Sequence, residues 1–200
     1  MIPHTIRSPQ HVAHAISALA LVVTLVASFG CTTSRPAVSA DPDQRDRELS
    51  QGYALLYDLL QENRRVNQAT RITFRSVSDE TSALLDDIAE ASGNAADQLY
   101  DLAEATPAIG LDEDGLPVLE SATRDAIAST TTSDLLTGDR DHFEKYLLLT
   151  QTEATRYAAH LAGQLAEAEA HGARRVFLRD VRQRFEQLYE QVLARLAVQE

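Results

Sequence analysis

The chain of 200 residues contains one cysteine, one methionine, no tryptophan, six prolines and a single lysine, Lys145. One cysteine excludes an intrachain disulfide, so packing alone must hold the fold. Proline is missing between Pro42 and Pro107 and again after Pro117. The long stretches this leaves are rich in Ala, Leu, Glu, Gln and Arg, and a helix meets no breaker in them. There is no strand signal and no internal repeat. Positive charge is scarce: 18 Lys and Arg stand against 30 Asp and Glu, a formal charge of −12. That balance opposes binding to nucleic acid and docking by charge on anionic lipid. Catalytic grammar is also missing. The sequence holds no Gly-rich phosphate loop, no G-x-S-x-G and no H-E-x-x-H, and it implies no cofactor.

What is present begins with the amino terminus. Met1 to His14 is polar, with Arg7, three histidines and no acid. Ala15 to Gly30 (AISALALVVTLVASFG) is almost wholly apolar, and Cys31 follows at once. A positive start, an apolar core and small residues at its end describe a secretory signal over residues 1–30. An uncleaved membrane anchor with an incidental cysteine is the alternative, although the apolar run is near the lower limit for a spanning helix. Residues 31–44 hold two prolines and no apolar periodicity, and read as a flexible tether. Loss of Arg7 with the signal leaves 17 basic against 30 acidic residues, a charge of −13.

The junction Ser28-Phe29-Gly30-Cys31 resembles the lipobox of the bacterial lipoprotein family. Members typically carry Leu, then Ala or Ser, then Gly or Ala, then Cys; Gly30 and Cys31 match, while Ser28 and Phe29 depart. The resemblance implies cleavage before Cys31, a diacylglycerol on its sulfur and a membrane held by acyl chains. In a two-membrane bacterium, the family's sorting pattern with Thr32 after the cysteine implies the outer membrane.

Residues 45–200 are expected to be all-α, a four-helix bundle with a long connection between the second and third long helices. The first helix spans about Arg45 to Arg75, with Leu49, Tyr53, Leu56 and Leu60 on one face; Asn63, Asn67 and Thr70 continue that face as polar residues. The second spans about Val77 to Ala105, capped by Ser76 or Ser78, with a seam of Leu84, Ile88, Ala91, Ala95, Leu99 and Leu102. The connection, Thr106 to Asp141, holds a turn at Asp114-Gly115 and a weaker helix over about Leu119 to Ser129, which Thr130-Thr131-Thr132 should end. The third long helix spans about Asp141 to Ala170, with a stripe of Phe143, Tyr146, Leu147, Thr150, Ala154, Tyr157, Leu161, Leu165 and Ala168. His171-Gly172 stops it. The fourth, about Ala173 to Val198, buries Phe177, Val181, Phe185, Leu188, Val192 and Leu196. A connection of this length suits a lengthwise crossover, which would place Arg174 far from Asp79. The order of elements resembles exported ferritin-like bundle proteins, but the E-x-x-H pair of their metal-binding members is missing.

Four constellations invite a functional reading. Asp86, Glu90, Asp97, Asp101 and Glu104 share one wedge of the second helix, opposite its seam, and read as a solvated face. His142, Glu153, His160, Glu167 and His171 flank the seam of the third; only Glu167 and His171 stand one turn apart, two metal ligands that need a third from elsewhere. The Leu111–Gly115 segment fails as a calcium loop at both ends. Arg71, Arg75, Arg174 and Arg175 are candidates for an anion or partner surface, against ordinary salt bridges to the second helix or to Glu167 and Glu169. Arginines at a helix start oppose its dipole, so an acid should compensate them. The expectation is a non-enzymatic adaptor or spacer, anchored to the membrane and facing an envelope protein. A metal-binding ferritin-like protein is the alternative.

Overall fold

Apolar residues three and four apart give each long helix a side that water excludes, and the seams meet. The computed structural model describes residues 42–72, 77–105, 108–111, 118–137 and 142–198. Among them lie five helices and no strand: α1 (Pro42–Ile72), α2 (Asp79–Ala103), α3 (Val118–Thr137), α4 (Phe143–Ala168) and α5 (Gly172–Ala197). None of these is long and apolar enough to cross a membrane. Residues 1–41, with Cys31 and the expected signal, lie outside the described residues, as do Arg75, the side chain of Arg71 and most of the Leu111–Gly115 turn.

Two boundaries differ from expectation. α1 starts at Pro42, three residues inside the expected tether, because proline at the first helical position sacrifices no hydrogen bond. α3 runs on through Thr130-Thr131-Thr132 to Thr137. Three threonines cost at most about 0.7 kcal/mol each against alanine, too little to end a helix that meets no Gly or Pro before Gly138.

The core takes Tyr53, Leu56 and Leu60 from α1 and Phe177, Val181, Phe185, Leu188 and Val192 from α5, all buried as their spacing predicts. Each fully buried Leu or Phe contributes about 1.5–3 kcal/mol. On α2 and α4 the expected seam holds in part: Ile88, Ala95 and Leu99 on α2 and Phe143, Leu147 and Leu165 on α4 are buried, but the buried side extends to one flank of it. Thr81, Leu85, Ser92 and Ala96 are buried on α2, while Leu84 and Ala91 are only half-buried. On α4 the buried line passes through Leu147, Leu148, Gln151, Thr155, Ala158 and Ala162, and the tyrosines Tyr146 and Tyr157 stay about half exposed. The expected stripe on α4 followed the large residues; the small ones and Gln151 face inward because close helix contact favours them.

α1 packs on α2 and α4, and α5 packs on α4 and α2, while α3 touches α4. The contacts fix directions. Arg45, near the start of α1, donates to Ala168 O at the end of α4 at 2.5 Å, so these two helices are antiparallel. Arg195, in the last turn of α5, donates to Thr81 Oγ1 near the start of α2 at 2.9 Å, so these two are antiparallel as well. Glu144, on the first turn of α4, meets Ser78 just before α2. The start of α4 therefore lies beside the start of α2, and Arg174 stands at the opposite end from Asp79.

Candidate functional site

The buried charges come first, because they are the groups with chemical reach. Arg174 falls on the α5 seam one turn before Phe177 and is 2% exposed, against Glu169 at 6%. Glu169 ends α4 and collects donors. Tyr53 Oη donates to its Oε2 at 2.5 Å, the His171 amide donates to Oε1 at 2.6 Å, and Arg174 Nε lies 3.3 Å from Oε2. Burial pushes the Glu169 carboxyl up, but the bonds from Tyr53 and the His171 amide, with Arg174, outweigh it and leave it below its usual range. Burial and the same carboxylate drive the Tyr53 phenol well above its ordinary value. Glu169 also places negative charge at the start of α5, whose first turn holds no acid, and so supplies the compensation its arginines need. Arg174 belongs to the interior of the fold and is no part of a surface. The half-buried Arg175 instead reaches Glu169 O at 3.5 Å.

A second cluster closes the other end. Ser78 caps α2, its hydroxyl accepting from Thr81 N at 3.3 Å. Glu144 Oε2 accepts from Ser78 N at 3.0 Å, and its Oε1 from Ser78 Oγ at 2.6 Å and from Thr81 Oγ1. Arg195 Nη2 stands 3.2 Å from that same Oε1. Burial raises the Glu144 pKa, but the bonds from Ser78, Thr81 and Arg195 prevail and bring it down to about 2. Both clusters tie three segments of chain together with their polar atoms directed at one another.

Between the ends lies a polar level. A Cβ at Gly52 would stand 2.6 Å from Leu165 Cδ2, and one at Gly93 would stand 3.4 Å from Arg64 Nε. Eleven residues on from Gly52 is Asn63; eleven back from Leu165 is Ala154, between Gln151 and Thr155; and Ser92 adjoins Gly93. Asn63, Ser92, Gln151 and Thr155 are all buried. Thr155 Oγ1 donates to Gln151 O at 2.6 Å, whereas Asn63 Nδ2, Ser92 Oγ and Gln151 Oε1 find no partner among the described residues. The polar turn of the α1 face at Asn63 was legible in the sequence; its counterparts on α2 and α4 were not. An unmade hydroxyl bond costs about 1–3 kcal/mol, and alanine is the better helix former. Ser92→Ala is therefore expected to raise the unfolding free energy by about 1–2 kcal/mol, read from urea denaturation. A loss of stability instead would show that the hydroxyl is satisfied in solution.

The remaining candidates are dispersed. His142, Glu153, His160 and Glu167 are exposed and His171 is half-buried, with its Nδ1 enclosed and unpartnered among the described residues. Among those residues no group of three or more His, Cys, Asp or Glu is placed to hold a metal ion. Asp86, Glu90, Asp97, Asp101 and Glu104 are exposed, the solvated face that their wedge predicts.

α3 stands apart. Its Arg124 is turned beneath the helix, 2.5 Å from Asp58 and 3.6 Å from Glu62 on α1, with its side chain 17% exposed. Ser121, Arg124 and Thr131 are half-buried among the described side chains of α3, so polar residues of this helix meet the body there. Its large apolar residues face away: Val118 is 83% exposed, Leu119 82% and Ile127 60%, and Leu119, Ala122, Ala126 and Ile127 line one continuous shallow surface with Thr123, Thr130 and Thr131. Burial and the neighbouring Asp58 push the Glu62 carboxyl up, with Arg124 opposing them. No family model, curated protein or solved structure matches this chain. The outward side of α3 is the candidate functional site, because Val118 and Leu119 are the most exposed large apolar residues among the described residues, ahead of Tyr146, Leu149 and Tyr157 on α4, which are 41–49% exposed.

The latch is testable. Arg124→Gln leaves Asp58 and Glu62 facing each other with only Arg65 acting on Glu62, and removes the ion pairs between α3 and α1. Amide exchange over Ala122–Thr130 is expected to speed at least tenfold while α1 and α5 keep their protection. Unchanged protection of α3 would assign its attachment to α4 alone.

Proposed function

We propose that this chain is an exported, lipid-anchored helical protein that binds or spaces other proteins of the cell envelope and performs no catalysis. On this reading Cys31 carries the lipid, the acyl chains hold the protein at the membrane, and residues up to about 41 are signal and tether. The four long helices form a four-helix bundle whose α2-to-α4 connection crosses it lengthwise. The packing of α1 on α2 and α4, and of α5 on both, supports that arrangement, as does Glu144 meeting Ser78.

One observation carries the binding reading: α3 is fastened through Arg124 to Asp58 and Glu62, and Val118, Leu119 and Ile127 project into solvent. The buried charged groups, by contrast, are occupied with one another at the ends of the fold, where they stabilise it. Two measurements test the proposal. Detergent partitioning with mass spectrometry of the mature amino terminus should find an acylated Cys31 and no signal; an unmodified cysteine in a chain starting at Met1 would sink the anchor. A photo-crosslinking residue at position 127 of the full chain in intact cells should give a defined protein adduct. One at the solvated position 97 should give none, and equal labelling at both would remove the adaptor reading.

A further inference from the structure

Resting on that reading, we infer that the outward side of α3 receives an amphipathic helix of another protein whose apolar seam is edged by lysine or arginine. At about 100° per residue, Leu119, Ala122 and Ala126 centre the outward side and Ile127 widens it. Glu120 lies on one edge beside Ile127 and Asp125 on the other, while Asp134 lies between Leu119 and Ile127 at the far end, all exposed. The only cation of the helix, Arg124, is withdrawn to Asp58 and Glu62. An apolar ridge with acids on both margins and its own positive charge removed is complementary to an apolar helix with basic margins.

The same charges disfavour the other occupants. A second copy of α3 would bring acids against acids, between chains of net charge −12. The arginine-rich side of α5 exposes one large apolar residue, Val176, among its described residues, which is no seam. An anionic bilayer surface is repelled by Glu120, Asp125 and Asp134.

The test uses the full chain in mild detergent and two synthetic helical peptides with the same leucine seam, one edged by lysine and one by glutamate. The lysine-edged peptide should bind. The double variant Leu119→Asp with Ile127→Asp should weaken it at least tenfold, and Glu120→Gln with Asp125→Asn severalfold at low salt. The glutamate-edged peptide should not bind. Both sets of substitutions lie on an exposed helix side, and circular dichroism checks that they leave the fold intact. Four results overturn the inference: no binding; equal binding of both peptides; binding indifferent to Leu119 and Ile127, which is attraction to net charge alone; or self-association or vesicle binding abolished by the same double variant. A crosslinked protein adduct at position 127 together with failure of the lysine-edged peptide would keep the adaptor reading and remove only this partner.

Discussion

Glu169→Ala is expected to lower the unfolding free energy by about 3–5 kcal/mol, the cost of leaving a buried charge without its partner. Three groups lose a partner at once: the Tyr53 hydroxyl and the His171 amide lose their acceptor, and the Arg174 guanidinium loses the carboxylate 3.3 Å from its Nε. For a chain of this size each kcal/mol moves the melting temperature by about 2–4 °C, so the loss should be on the order of 10 °C by circular dichroism. The double variant with Arg174→Met distinguishes the causes. Removing the buried cation as well should restore more than half of the loss, because much of it is the penalty of taking the carboxylate away from Arg174. A single variant within about 1 kcal/mol of the parent would mean that water reaches Arg174 readily.

Acidification is expected to weaken the fold through the other end. Glu144 is held down at about 2 by donors that vanish when α2, α4 and α5 separate. Its pKa is therefore lower in the folded chain than in the unfolded one. The stability linked to it is fully present above about pH 4.5 and is lost as the pH falls toward 2, because the unfolded state takes up the proton first. The full linkage amounts to about 3 kcal/mol, of which about 2 is gone by pH 3. Glu169, depressed in the same direction, adds to the trend, while Glu62, raised by burial and Asp58, opposes it. Glu144→Gln should reduce the difference in stability between pH 6 and pH 3 by about 2 kcal/mol. Urea titrations at the two pH values measure it, and an unaltered difference would remove Glu144 from the account.

The helices, the Ser78 cap and the seams of α1 and α5 were legible because large apolar residues recur there at helical spacing. The seams of α2 and α4 were legible only in part: Ile88, Ala95, Leu99, Phe143, Leu147 and Leu165 are buried as expected, but the rest of the inward sides carries Ala, Gly, Ser, Thr and Gln, whose small or polar side chains leave weak periodicity. Arg174 had a signal that charge obscured: it stands three residues before Phe177 and four before Leu178, in line with the buried side. Its partner Glu169 was among the acids expected for it, but nothing local ties either to Tyr53, 116 positions away. The orientation of α3 was illegible for the same reason. Leu119 and Ile127 suit an inward side as well as an outward one, and the choice is made by Arg124 finding Asp58 and Glu62 on a helix some sixty positions earlier.

The opposed directions of the helices also have a mechanical consequence. Arg45 places the beginning of α1 beside the end of α4, whereas Arg195 places the end of α5 beside the beginning of α2. The two ends of the described chain thus emerge about one helix length apart, roughly 40 Å for 26 residues. A pull between them acts along the helix axes. It must slide the helices past one another over many contacts at once, where a pull from a single end would peel them open a turn at a time.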